Sequence, residues 1–178
     1  ARSGEKRSLG GVANINYKLM DRYMVQTILR ADAASSFGEN NRWGLFKGLA
    51  VGWRFSDEPV LESWNFLGES KLRYSWGVTG RRPRDVYARF ANYESTSRGS
   101  YINRSAIIPS SVQLDNLKWE TITSNNIGLE LNLFENILFI EAELYNKLTT
   151  DILFEDYDIP GSTGFSELQY FNGGELAN

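Results

Sequence analysis

Residues 70–79 read Ser70-Lys71-Leu72-Arg73-Tyr74-Ser75-Trp76-Gly77-Val78-Thr79. Leu72, Tyr74, Trp76 and Val78 are apolar or aromatic, and the positions between them are charged, polar or small. Successive side chains of a strand point to opposite faces, so this stretch is a strand with one apolar and one polar face. The same period of two continues outward in both directions. Upstream, Tyr23, Val25, Leu29 and Ala31 alternate with Gln26, Arg30 and Asp32. Leu49, Val51, Trp53 and Phe55 alternate with Gly48, Gly52, Arg54 and Ser56. Downstream, Ile127, Leu129, Leu131 and Leu133 alternate with Asn126, Gly128, Glu130 and Asn132. Leu138, Ile140, Ala142 and Leu144 then alternate with Glu141, Glu143 and Tyr145. The pattern predicts an all-β, antiparallel chain with strands at about 9–19, 23–34, 45–56, 70–79, 116–133, 137–150 and 165–172. A short turn of helix near Pro59–Phe66 is the one competing element.

The connections carry a second pattern. Met20-Asp21-Arg22, 57–69 and Phe134-Glu135-Asn136 fall at one end of the predicted sheet, and 35–44, 80–115 and 151–164 at the other. Apart from 57–69, one end has tight turns and the other has long polar or Gly-rich loops. Outer-membrane barrels have this asymmetry, with short periplasmic turns and long extracellular loops.

Composition removes several function classes. The 178 residues contain no Cys and no His, which excludes disulfides, thiol catalysis, His- or Cys-ligated zinc and a Ser-His-Asp triad within this chain. The net charge of −3 does not mark a nucleic-acid binder. No run of about 18 apolar residues is present, so no transmembrane helix is predicted. Aromatic residues make up 13% of the chain, which favours strands over a helical bundle.

Tyr23, Trp53, Tyr74, Trp76 and Trp119 are assigned to the apolar face, several of them near strand ends. Aromatics at strand ends fit a lipid-facing girdle. They equally fit the core of a soluble β-sandwich, because alternation does not distinguish lipid from core.

An ordered series of motifs separates these readings. Arg30-Ala31-Asp32, Ser35-Ser36-Phe37-Gly38 and Asn41-Arg42-Trp43-Gly44 lead to Phe46, Ala50-Val51-Gly52-Trp53-Arg54, Ser56-Asp57-Glu58-Pro59 and Leu72 through Gly80. The series resumes at Leu117-Lys118-Trp119-Glu120-Thr121 and Asn126-Ile127-Gly128-Leu129. Tyr145-Asn146-Lys147, Thr149-Thr150-Asp151, Pro160 and Gly164-Phe165 follow, and Asn172-Gly173-Gly174-Glu175-Leu176-Ala177-Asn178 ends it. In order and spacing the series resembles the barrel of SusC/RagA-type TonB-dependent transporters, over most of the chain outside 81–113. Ala34, Ser36, Lys47-Gly48 and Arg81 depart from residues frequent in that family, which leaves the loop chemistry and the substrate open.

The resemblance implies that residues 1–178 are part of a transmembrane β-barrel in the cell outer membrane, importing glycans or peptides. It implies that the plug domain, the remaining strands and the segment contacting the TonB complex lie outside these residues. A SusD-like lipoprotein, outer-membrane lipid and the rest of the barrel and plug are the implied partners. No nucleic acid, cofactor, metal or catalytic residue is implied, and the chain is not expected to be an enzyme. A soluble β-sandwich glycan-binding module is the alternative.

Two groups of residues are candidates for contact. The loop at 81–104 holds Arg81, Arg82, Arg84, Arg89, Arg98 and Arg104 against Asp85 and Glu94, interleaved with Tyr87, Phe90, Tyr93 and Tyr101. Guanidinium groups bind carboxylates and phosphates bidentately, and aromatic faces stack on sugars. Arg81, Arg82, Arg84, Tyr87, Arg89, Tyr93, Arg98 and Tyr101 are therefore candidates for anionic or sugar ligands, lipopolysaccharide or a capping lipoprotein; a solvated loop packed on its neighbours is the plain alternative. Arg30, Asp32, Arg54, Arg73, Glu130 and Glu141 fall on the polar face, which in a barrel is the lumen. Glu155, Asp156 and Asp158 form an acidic loop cluster without EF-hand spacing, read as solvated.

Overall fold

The computed structural model describes residues 7–101, 104–165 and 167–178; the side chains of 39, 94, 96–101 and 104–106 are also outside the description. Seven strands form one antiparallel sheet in the order β1-β2-β3-β4-β7-β8-β9. They are β1 (Ser8–Leu19), β2 (Tyr23–Ala34), β3 (Trp43–Trp53), β4 (Lys71–Arg81), β7 (Glu120–Leu133), β8 (Leu138–Asp158) and β9 (Glu167–Ala177). A separate hairpin pairs β5 (Tyr93–Tyr101) with β6 (Arg104–Pro109).

The register fixes both faces. Directly paired residues share a face, and Tyr23 pairs with Trp53, Trp53 with Leu72, Leu72 with Leu129, and Leu129 with Ala142. Leu49 pairs with Trp76, and Leu131 with Ile140. The predicted apolar row is therefore one face of the sheet. Arg73, opposite Gly52 and Gly128, shares the other face with Glu130 and Glu141, which pair with each other.

No second sheet covers the apolar face among the described residues. Leu9 and Ile15 are each 67% exposed and Leu144 is 74% exposed. A sandwich would bury this face, so the soluble alternative does not describe the sheet. β1 pairs only with β2 and β9 only with β8 among the described residues, so both outer strands present open edges.

Several predicted boundaries move. β3 ends at Trp53, because the Arg54 amide leaves the ladder and donates to the Arg22 carbonyl at 2.8 Å. β8 continues to Asp158, which places Glu155, Asp156 and Asp158 on a strand paired with β9 rather than in a loop. The predicted loop 80–115 contains the β5–β6 hairpin. The helical turn expected near Pro59–Phe66 is instead a run of four-residue turns closed by Leu61, Trp64 and Leu67 amides on the carbonyls of Glu58, Leu61 and Trp64.

The connection 54–70 is a strap across the turn end. At one side Glu58 accepts hydrogen bonds from the Tyr23 hydroxyl, the Trp53 indole (3.0 Å) and Arg22 (3.0 Å). At the other, Leu67 forms a bridge with Leu133, Gly68 donates to the Asn132 carbonyl, and Phe134 donates to the Phe66 carbonyl. The strap thus ties the β1–β2 turn to the β7–β8 turn.

The buried cluster lies at the opposite end. Ala34, Phe37, Ala88, Leu117, Leu153 and Tyr170 pack together, with Leu114 and Trp119 against them. It joins the loops at 35–42 and 82–119 to the upper parts of β8 and β9. Trp119 precedes β7 and turns inward onto Phe37 and Phe46, with ring centroids 4.5 and 5.4 Å away. Its expected place in an outward girdle is corrected by this packing.

Candidate functional site

The polar face carries a charged cluster toward the turn end, near the start of β4 and the end of β7. Glu130 and Glu141 are cross-strand neighbours, a like-charge pairing that is destabilising by itself. Arg73 offsets it, lying 3.5 Å from Glu130, 3.1 Å from Glu141 and 3.0 Å from Glu143. Lys71 adds a contact to Glu130 at 2.8 Å, and the Asn126 amide donates to Glu143 at 2.8 Å. The Arg73 side chain lies over Gly128, where a Cβ would overlap its Nε. Gly128 therefore gives Arg73 the room to reach across β7 to β8. A cavity of about 530 Å³ opens beside this cluster, between Gln26, Ala50, Gly52, Arg73, Ser75 and Asn126.

Nearer the long-loop end, Arg30 and Asp32 form an ion pair at 2.7 Å. The Arg30 guanidinium also sits over the Phe46 ring, 5.3 Å from its centre. This pair borders a cavity of about 310 Å³ shared with Ser8, Gly10, Arg82 and Trp119. Arg82 from the arginine-rich segment thus joins two residues of the polar face. Asp32 already holds Arg30, so the wall of the cavity carries an excess of positive charge, complementary to a carboxylate or phosphate.

The remaining loop candidates do not converge on one patch. Arg81, the last residue of β4, pairs at 3.5 Å with Glu120, which is 4% exposed. Glu120 also accepts the Leu153 amide at 2.9 Å. It continues with a side chain the bonding that β7 no longer supplies to β8, so Arg81 belongs to the frame. Arg84 is exposed. Tyr87 is exposed beside Phe90, and the Arg89 guanidinium lies 4.3 Å from the Phe90 ring centre. Tyr93 is exposed at the start of β5. Arg98 and Tyr101 lie on β5, and their side chains are outside the described residues. Arg54 sits in the rim at the turn end, paired with Glu69 at 2.9 Å and Asp57 at 3.5 Å.

The segment is held down as a unit. Asp85 donates its amide to the Tyr170 hydroxyl, and the Tyr87 amide returns to the Asp85 carboxylate. Ser110 and Ser111 amides reach the Asn92 carbonyl at the base of the hairpin. Trp119, Ser8 and Glu120 were not among the residues expected at a site. For Trp119 and Glu120 the signal lies in the motif Leu117-Lys118-Trp119-Glu120-Thr121, which gives their presence but not their direction. No cluster of acidic residues suited to a metal ion occurs among the described residues.

The family described as TonB dependent receptor-like, beta-barrel matches residues 1–176. The chain is 32% identical over 180 residues to the TonB-dependent receptor SusC of Bacteroides thetaiotaomicron, covering 92% of this chain and 17% of that protein. It is 34% identical over 159 residues to the TonB-dependent receptor P39 of Formosa agariphila, covering 88% of this chain and 15% of that protein. Among solved structures, the RagAB peptide importer in its open-open state superposes with a TM-score of 0.84 at 27% identity. That match covers 97% of this chain and 18% of the importer chain. The siderophore receptor PirA from Pseudomonas aeruginosa superposes at 0.57 and 18% identity, a likeness of fold. The chain spans 15% to 17% of the length of these curated relatives.

Proposed function

The chain belongs to the TonB-dependent receptor β-barrel family, and from that premise we propose that it is a wall sector of a SusC/RagA-type outer-membrane transporter that imports glycans or peptides with a SusD-like surface lipoprotein. The observation that carries the reading is the uncovered, two-faced sheet. An apolar face as exposed as this one is stable where lipid covers it, and the alternating polar face then lines the lumen. The open edges of β1 and β9 take further strands, since a lipid-facing sheet leaves no backbone group unpaired. The Arg73 cluster faces the plug or the substrate path, and the loops around Arg82, Arg84 and Tyr87 face the cell exterior. Energy from the TonB complex enters through another part of the full-length protein.

The test uses the full-length protein carrying an affinity tag. It is expected to fractionate with the outer membrane, to bring a surface lipoprotein with it, and to take up a glycan or peptide only in cells with a working TonB complex. Recovery in the aqueous fraction, or uptake that continues without TonB, overturns the reading.

A further inference from the structure

We propose that the strap between Glu58 and Leu67 is a membrane anchor, lying in the headgroup–acyl boundary of the leaflet at the turn end, with phospholipid as its partner. The inference rests on the reading of the apolar face as lipid-facing and extends it to a segment outside the strands.

Both ends of the strap are fastened to the apolar side of the rim. Glu58 is held by Tyr23 and Trp53, which pair with each other on the apolar face. Leu67 bridges Leu133, which pairs with Leu138 on the same face as Leu131 and Ile140. A segment fixed at both ends in this way runs along the outside of the rim rather than across the mouth of the lumen.

It presents large apolar side chains there, interspersed with the exposed Glu62, Ser63 and Asn65, a mixture suited to the headgroup level. Val60 is 84% exposed, Trp64 50% and Phe66 45%. The Trp64 and Phe66 rings stack with centroids 5.6 Å apart, and Phe134 of the next turn continues the row at 6.2 Å. Ile137, just beyond that turn, is 84% exposed. The row continues the apolar face of the sheet instead of standing apart from it. Trp at this level places an apolar ring toward acyl chains and its N–H toward headgroups. Along 59–65 the strap's backbone hydrogen bonds are those of its own four-residue turns, and Phe66 accepts the Phe134 amide, so most of its backbone groups are left to water, which suits the hydrated interface and not the acyl core.

Nitroxide labels test this in the full-length transporter, with native cysteines replaced, reconstituted in nanodiscs of phosphatidylethanolamine and phosphatidylglycerol. Val60→Cys and Ile137→Cys carry the test labels; both side chains are open to solvent, so labelling leaves the fold intact. Leu144→Cys reports the lipid-facing sheet, and Gly161→Cys, in a loop at the other end with open space around it, reports water. Collision with oxygen is compared with collision with a water-soluble nickel chelate. Val60 and Ile137 are expected to favour oxygen, between Leu144 and Gly161. A water-like value at Val60 with a lipid-like value at Leu144 overturns the anchor alone. Protection of Val60 from both reagents also overturns it, since a second protein then covers the strap. A water-like value at Leu144 overturns the lipid-facing reading itself.

Discussion

Glu58 shows how much of the rim depends on one carboxylate. The Tyr23 hydroxyl, then the Trp53 indole, then Arg22 hold its carboxyl below the usual carboxylate range. A depressed pKa in the folded state contributes stability above the unfolded pKa of about 4.3 and loses it as pH falls through the folded value. Glu58→Gln is therefore expected to lower the unfolding temperature of the detergent-solubilised transporter at neutral pH. The gap to wild type should begin to narrow only as pH falls below about 4.3, and should close as pH falls through the folded value. A gap that does not narrow anywhere below the unfolded pKa assigns the loss to shape rather than charge. Gly80 makes a steric counterpart. A Cβ there would overlap the Phe46 ring, which is 4% exposed. Gly80→Ala should cost about 1–3 kcal/mol by overpacking. Combined with Phe46→Leu, which vacates the same space, the losses should be less than additive. Strict additivity in refolding titrations counts against this contact.

At the scale of strands, period two is enough to assign the faces, because residues 72–78, 127–133 and 138–144 each keep one face apolar without interruption. It fails where the sequence carries no apolar row. Tyr93 to Tyr101 reads Tyr-Glu-Ser-Thr-Ser-Arg-Gly-Ser-Tyr, with no apolar row, and so carries no strand signal. The end of β8 reads as a loop because Asp151 to Asp158 holds four acids in eight residues, although Leu153 among them is buried. Trp119 escapes the alternation because it lies before the start of β7, where no ladder enforces it. Of the candidate site, residue types were legible and meeting points were not: nothing in the sequence links Arg82 to Arg30 and Asp32, about fifty residues apart. The face assignment has a sharp test in β8, where Leu144 and Tyr145 are adjacent and 74% and 61% exposed. Leu144→Arg should cost about 2–4 kcal/mol if near the bilayer midplane and about 0–1 kcal/mol near an interface, whereas Tyr145→Arg, on the polar face, should cost little. Refolding into lipid vesicles measures both, and equal penalties argue against a lipid-facing sheet.

At the scale of the whole molecule, the two ends of the sheet divide the labour. The turn end is tied together along its rim by the Glu58 strap, and the long-loop end is built on the Phe37–Leu117–Tyr170 cluster, which holds the arginine-bearing segment over the polar face. The structure separates arginines that the sequence groups together. Arg81 is tied to Glu120, and through it to the backbone of β8. Arg81→Ala should therefore lower barrel stability, because it leaves a buried carboxylate short of its cation. Arg82 borders the cavity beside Arg30 and Asp32, and Arg84 is exposed, so replacing both with Ala should leave assembly intact. If these charges attract an anionic glycan or peptide, uptake of that ligand should fall in the double variant and uptake of a neutral one should not. Raising the salt should narrow the difference, since exposed charges are screened beyond about 10 Å at 0.1 M. The comparison is made at equal surface abundance, with Arg81→Ala as the variant expected to fail on abundance instead. Equal uptake of acidic and neutral substrates by wild type and the double variant removes Arg82 and Arg84 from any recognition role and returns the segment to a solvated loop anchored through Ala88 and Tyr170.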